Sequence, residues 1–203
     1  LATTAKRNAG KKMTHIGGFI PWAWKYSELA GSKHEGVPSE WEFVRVISGY
    51  NAYLDADALG IGAMANASFF RHQKLPKYPP ERETVAKARG PAPELKRDRH
   101  YVTFYVGDWD SAAWLYQMLP TRWEDAKRGT VPLGWAFNPN LAQRFPAGFV
   151  LTRETRSQND CFVAGDTGAG YINPSLLEPP RGSGLPSGTA LWEKHCKGWY
   201  ERF

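Results

Sequence analysis

Short, continuous apolar runs, each ending in polar or small residues, most restrict how this chain can fold. They cover residues 15–26, 42–57, 62–70, 100–110, 131–139 and 160–168 and are rich in β-branched and aromatic side chains. Such runs are typical of β-strands. Because their apolarity is continuous rather than alternating, the pattern predicts strands that are buried on both faces, as in parallel sheets.

Helix signals lie between these runs. A capping pattern at Ser39 and Glu42, an amphipathic stretch at 110–129 and another at 187–203 predict three helices, and the Pro-rich segment 74–100 predicts a surface excursion with one short helix. Strand-then-helix alternation favours an α/β fold of parallel β/α units, similar to a TIM barrel. A closed barrel usually takes about 250 residues. The 203 residues here therefore predict one domain over 1–203 that is an incomplete barrel and a fragment of a longer protein.

Composition and charge argue against several classes of protein. With 42% hydrophobic residues the chain can bury a core, so disorder is not expected. No apolar run reaches the length of a membrane span. The net charge of +6 is modest and its basic residues are scattered, which disfavours nucleic-acid binding. Cys161 and Cys196 lack metal-ligand spacing, and neither a metal nor any other cofactor is predicted; the cellular compartment stays open.

Aromatic residues are abundant, with 9 Trp, 9 Tyr and 10 Phe. Their rings can stack on the C–H faces of sugars while their polar tips form hydrogen bonds, so this enrichment suits a carbohydrate substrate. Ordinary core packing is the alternative for any single ring. The rings that we expect to stack on sugar lie in runs near strand ends: Trp22, Trp24, Trp109 and Trp135.

Acidic and amide residues follow several of the predicted strands. Asp108 and Asp110 end one run, Asn138 and Asp166 end two others, and Asp55 lies at the end of a fourth. In parallel β/α architectures such residues meet at the carboxyl edge of the sheet, where active sites form. An Asp after a strand is also a common helix cap or turn former. That alternative stays open for Asp55 and Asp110, whereas Asp108 is harder to explain as a cap.

The glycine-rich stretch at 163–174 has three interpretations. A phosphate cradle would use Gly165, Gly168 and Gly170, but no Lys-Ser/Thr pair follows. The Asp-Thr-Gly that begins at Asp166 also occurs in aspartic proteases, but the β/α alternation argues against that fold. The third interpretation is a strand end that binds sugar.

Three motifs in order support this third interpretation. The segment GAGYINP at 168–174 resembles the signature of the GxGYxYP putative glycoside hydrolase family, and VGDWD at 106–110 and VPLGWAFNP at 131–139 resemble the motifs that precede it. The likeness is clear over 100–177 and looser at 18–26 and 67–70. Trp109 and Ser111 replace the Gly and Asn of the commoner acidic motif, and Asn173 replaces a Tyr.

The resemblance implies a glycoside hydrolase acting on an oligo- or polysaccharide. Such enzymes place two carboxyl groups on either side of one glycosidic bond, and Asp108 and Asp166 are the predicted pair, with Asp110 in reserve. The residues expected to contact the sugar, besides the four Trp, are Asn138, Gly168, Gly170, Tyr171 and Asn173. Two alternatives remain open: a non-catalytic carbohydrate-binding module, and a divalent-ion site formed by Asp55, Asp108 and Asp110.

Overall fold

The computed structural model describes residues 1–8, 10–18, 39–56, 66–165 and 167–202, with the backbone alone at 39, 40, 67 and 108. Within these ranges helices and short strands alternate along the chain. The helices are α1 (Ala2–Arg7), α2 (Ser39–Ser48), α3 (Ala67–Phe70), α4 (Glu81–Arg89), α5 (Ala112–Trp123), α6 (Pro146–Glu154) and α7 (Thr189–Tyr200). The strands are β1 (Thr14–Gly18), β2 (Ala52–Ala56), β3 (Tyr105–Trp109), β4 (Leu133–Phe137) and β5 (Asp160–Phe162), and 3₁₀ turns cover Pro139–Gln143 and Pro174–Leu177.

The described strands form two small parallel sheets. β1 pairs with β2 from Thr14–Ala52 to Gly18–Ala56, and β4 lies between β3 and β5. A parallel bridge between Ala56 and Ser111 brings the end of β2 beside the end of β3. The prediction of a parallel α/β fold is therefore confirmed. The TIM-barrel-like arrangement, incomplete in this chain, stays a prediction, because the described strands belong to two separate small sheets.

One face of the larger sheet carries the main hydrophobic core. Alternate residues of β4, Trp135 and Phe137, pack with Trp109 and with residues of α5 and α6, including Leu119 and Phe149. Ser111 caps α5, since its Oγ accepts a hydrogen bond from the Trp114 N–H at 3.3 Å. Asp110 is therefore not the N-cap of this helix, and that alternative for Asp110 is wrong.

The run 42–57, predicted as one strand, is divided between two elements. Its first part belongs to α2, where Val44 and Ile47 pack on Ala52 and Leu54 of β2. The chain reverses at Asn51, whose φ is 54°. The sequence misled because a short apolar run fits either element, and only a partner sheet shows which of its residues turn inward.

Two further predictions about local structure were incomplete. Residues 67–70, expected as the end of a strand, form the short helix α3, while residues 62–65 lie outside the described ranges. The helix α6, with Pro146 in its first turn, was not expected from the sequence. The helix predicted within the Pro-rich segment is present as α4.

No helix in the described ranges combines the length and apolarity that a membrane crossing requires.

A largely buried carboxylate holds α4 against the sheet. Glu81 accepts hydrogen bonds from Arg153 at 2.7 Å and from Arg156 at 2.8 and 2.9 Å. Its Oε1 also accepts from the backbone N–H of Phe162 in β5, at 2.8 Å. Glu81 thus joins the surface excursion that contains α4 to the edge of the larger sheet.

A second carboxylate, Asp160 at the start of β5, is fully buried. It accepts hydrogen bonds from the Trp135 indole Nε1 and from the Ser157 N–H, both at 2.8 Å, and it pairs with the Arg128 guanidinium. Because Asp160 begins its strand, this cluster lies at the amino edge of the sheet. We assign it to stability rather than to the site at the opposite edge.

Candidate functional site

The carboxyl ends of β2, β3 and β4 lie side by side. The Ala56–Ser111 bridge joins the first two ends, and the Asn138 N–H donates to the Trp109 carbonyl at 3.3 Å. Residues that follow or end these strands therefore share one edge, as the sequence predicted for parallel β/α units. We call this edge, with Asp55, the 108–111 segment and residues 138–144, the carboxyl edge.

The predicted catalytic acids are only partly within the described structure. The backbone of Asp108 lies in β3, but its side chain lies outside the described residues, as does the whole of Asp166. Asp110 directly follows β3 and is partly exposed. Gly165, the residue before Asp166, lies against Asn138: a Cβ added at Gly165 would be 2.0 Å from Asn138 Oδ1. The segment that leads to Asp166 thus meets the end of β4.

Asp55 is the centre of a polar cluster at this edge. Its Oδ2 lies 3.1 Å from His15 Nε2 and 3.6 Å from Arg144 Nη1. Its Oδ1 accepts a hydrogen bond from Asn140 Nδ2 at 3.4 Å. Only 7% of the Asp55 side chain is exposed. Asp55 therefore binds other side chains from within a strand and is not a helix cap, which removes that alternative.

Burial and charge act in opposite directions on Asp55. Desolvation raises the pKa of its carboxyl above the ordinary value, although the positive charge of Arg144 and the contact with His15 counteract part of this rise. A carboxylate buried with a guanidinium and an imidazole is typical of functional sites. We therefore take this cluster as the candidate functional site within the described part of the carboxyl edge.

Asn140, in the 3₁₀ turn after β4, has an unused hydrogen-bonding atom. The residue is 5% exposed, and among the described residues its buried Oδ1 has no hydrogen-bond partner. A buried acceptor without a donor costs about 1–3 kcal/mol. Such a group beside Asp55 is a position where a ligand can supply the missing donor.

The His15 ring of the cluster belongs to a series of packed rings. His15 stacks on Tyr53 with ring centroids 5.3 Å apart and planes 7° apart. The ring of His195 in α7 lies 4.6 Å from that of Tyr53 and 4.9 Å from that of Trp192. Burial lowers the pKa of His195, and the hydrogen bond from its Nε2 to the Ala169 carbonyl oxygen opposes this shift. These contacts fix the plane of His15.

Because Tyr53 is buried in this stack, folding stability should decrease at alkaline pH. Burial first, and the Asp55 charge second, raise the pKa of Tyr53 to about 12, against about 10 in an unfolded chain. The contribution of neutral Tyr53 to folding stability is complete below pH ~10 and is lost as the pH rises to ~12. At pH 11 we expect the wild type to lose about 1.4 kcal/mol through Tyr53 relative to pH 9.

Chemical denaturation of Tyr53→Phe at the two pH values measures this loss. The variant is expected to lose about 1.4 kcal/mol less than the wild type between them. Tyr116→Phe, at an exposed ring, is the matched control and should behave as the wild type. Equal losses in Tyr53→Phe and the wild type would contradict the prediction.

The described Trp residues from the predicted set lie in the core. Trp109 and Trp135 are 5% and 2% exposed and pack on each other and on Phe137. The Trp135 indole N–H is used by Asp160. Rings enclosed in this way have no free face for a sugar, so we correct their predicted stacking role to core packing. Trp22 and Trp24 lie outside the described residues.

The glycines of the signature face the protein's own rings. Gly170 has φ +136°, and a Cβ there would be 2.4 Å from Tyr53 Cδ2. Gly168 has φ +104°, and a Cβ there would be 2.7 Å from Cys196 Sγ and 3.3 Å from the Trp192 ring. The space beside these glycines is thus filled by side chains. The structure therefore gives these glycines a packing role, and their contact with sugar stays a prediction.

The two polar residues of the signature also have structural partners. The backbones of Tyr171 and Leu54 exchange two hydrogen bonds of 2.8 Å, so the signature pairs with β2. The Asn173 N–H donates to Ser48 Oγ at 2.9 Å, and its side chain accepts from Ser175. The signature therefore secures the strand that carries Asp55.

Three members of the Asp55 cluster were not expected from the sequence. His15 and Asn140 are separated from Asp55 by 40 and 85 positions. Arg144 directly follows the 3₁₀ turn Pro139–Gln143. Only the strand-end position of Asp55 gave a signal. The ion site suggested for Asp55, Asp108 and Asp110 stays a prediction, because the Asp108 side chain is not described; the described residues contain no group of three His, Cys, Asp or Glu suited to a metal.

Comparison with known proteins shows first what this chain resembles in fold and then which family model part of it matches. A crystal structure described as a putative hydrolase from Bacteroides thetaiotaomicron is similar, with a TM-score of 0.56 and 23% identity, over 80% of this chain and 29% of that one. This likeness shows a shared fold. Residues 98–190 match the model of the GxGYxYP putative glycoside hydrolase C-terminal domain, which confirms the family resemblance. No curated protein matches the chain.

Proposed function

We propose that this chain carries part of the active site of a glycoside hydrolase that acts on an oligo- or polysaccharide. The observation that supports it best is the convergence at the carboxyl edge. The ends of β2, β3 and β4 adjoin there, and Gly165 touches Asn138. The segments that bear Asp108 and Asp166 therefore lead to the same edge, as a pair of carboxyl groups acting on one bond requires.

In this proposal the two acids have complementary roles. Asp108, between Gly107 and Trp109 in β3, protonates the leaving oxygen, because an apolar strand end favours the protonated form of an acid. Asp166 acts as nucleophile or activates water, and Asp110 is the reserve for either role. Asn138 hydrogen-bonds sugar hydroxyl groups, and Trp22 and Trp24 supply the stacking surface.

The same proposal extends to the fold and to the rest of the protein. The described strands are parallel and follow one another in chain order, which supports a (β/α) barrel that is incomplete here. The chain spans 29% of the structurally similar hydrolase. We propose that the natural polypeptide supplies further strands and that these complete the barrel.

Hydrolysis assays on matched variants test the function. The chain, and the same segment within its full-length parent, are incubated with β-glucan, xylan, mannan and pectin, and released reducing ends are measured. Asp108→Asn and Asp166→Asn are each expected to remove most of the activity with the fold retained, because each deletes one carboxyl of the pair. Asp98→Asn, at an exposed position, is the control.

Full activity in either variant would remove that residue from the proposed pair. Binding of a polysaccharide with no hydrolysis by the full-length protein would favour the carbohydrate-binding alternative. The anomeric configuration of the first product, followed by NMR, then distinguishes retention from inversion.

A further inference from the structure

We propose that His15, Asp55, Asn140 and Arg144 form a subsite that binds hydroxyl groups of a neutral sugar ring. This inference rests on the proposed glycoside hydrolase function and names a substrate class for it. We call the four residues the Asp55 subsite. It lies beside the predicted catalytic segments, because Ala56, the residue after Asp55, bridges to Ser111.

The mixture of donors and acceptors indicates hydroxyl groups. Asp55 and the Asn140 oxygen accept hydrogen bonds, whereas Arg144 only donates. A hydroxyl group both donates and accepts, so neighbouring hydroxyls on a sugar ring can bind the acceptors and donors together. A carboxylate or phosphate only accepts and would leave the buried Asn140 oxygen unsatisfied.

Charge leads to the same class of ligand. The Asp55 carboxylate lies 3.6 Å from the Arg144 guanidinium, and the two charges offset each other. An anionic sugar such as a uronate would meet the Asp55 charge in a site of low exposure, where repulsion is strong. A neutral ring avoids this repulsion.

Access to the subsite is from the side of His15 and Arg144. The His15 side chain is 52% exposed and that of Arg144 is 25% exposed, whereas Asp55 and Asn140 lie beneath them. His15 is fixed by its stack on Tyr53 and by its contact with Asp55. A ligand therefore meets groups that are already oriented, which lowers the entropic cost of binding.

Binding to the chain 1–203 tests the proposal without any need for turnover. The probes are cellotetraose, xylotetraose, mannotetraose and tetragalacturonate, with calorimetry for affinity and ¹⁵N NMR of the His15 imidazole for location. At least one neutral tetrasaccharide should bind and shift the His15 signals. Asp55→Asn and Asn140→Ala should each weaken that binding tenfold or more, and Asp98→Asn should not change it.

Arg144→Gln, at a more exposed position, replaces Asp55→Asn should that variant unfold, and it should also weaken binding tenfold. Unchanged affinity in the folded variants, binding of tetragalacturonate alone, or no binding of any probe would overturn the subsite. The binding test does not measure turnover. If the hydrolysis assays disproved the roles of Asp108 and Asp166, the binding results would therefore still decide whether the subsite exists.

Discussion

Replacing Asp160 with alanine is expected to lower the free energy of unfolding by about 3–5 kcal/mol, which is typical for removal of one partner from a buried ion pair. The Asp160 side chain is fully buried. Its loss leaves the Arg128 guanidinium without its counter-charge and the buried Trp135 indole N–H without an acceptor. Urea or guanidinium denaturation followed by tryptophan fluorescence measures the change.

Two comparisons make this result specific. Asp160→Asn keeps the shape and one acceptor, so it should be less destabilising than the alanine variant. Asp98→Ala, at an exposed position, should change the unfolding free energy by less than about 0.5 kcal/mol. A loss below about 1 kcal/mol in Asp160→Ala would show that the cluster is not a major support of the sheet.

Gly170→Ala is expected to destabilise the protein by about 2–4 kcal/mol. The φ of +136° is one that side-chain-bearing residues rarely adopt, and the added methyl would lie 2.4 Å from Tyr53 Cδ2. The Tyr53 ring cannot move aside easily, because it is packed between His15 and His195. Thermal and chemical denaturation measure the effect.

Gly182→Ala is the matched control in a neighbouring loop. Gly182 has no atom within 4 Å of an added Cβ, so its replacement should change stability by less than about 0.5 kcal/mol. If Gly170→Ala had an equally small effect, the tight contact between the signature and Tyr53 would be disproved. Displacement of Tyr53 should also disturb His15, and sugar binding at the Asp55 subsite would then weaken as well.

Strand positions were the most predictable part of the fold. The runs at 100–110, 131–139 and 160–168 contain β3, β4 and β5, and the last predicted helix is α7. These elements are rich in apolar side chains and are bounded by glycine, proline or polar residues, so the local sequence pattern is enough to predict them. The run 42–57 was divided wrongly because periodicity over so few residues does not separate a helix from a strand.

The candidate site was predictable in position and only partly in composition. A strand-end rule led to Asp55, Asp108 and Asn138 because parallel strands end at one edge. The same rule gave no signal for His15 or Arg144. Aromatic abundance suggested sugar stacking for Trp109 and Trp135, yet both rings are used by the core, since a ring's chemistry does not show which side of a sheet it faces.

The sequence by itself determined the parallel α/β class, the family resemblance, and the edge of the sheet at which polar residues gather, because these follow from local apolar pattern and from chain direction. Tertiary structure alone decided which side chains meet there. The register of β1 against β2 sets His15 near Asp55, and the turn after β4 brings in Asn140 from 85 positions away. Contacts between distant segments depend on packing in three dimensions, and no local pattern encodes them.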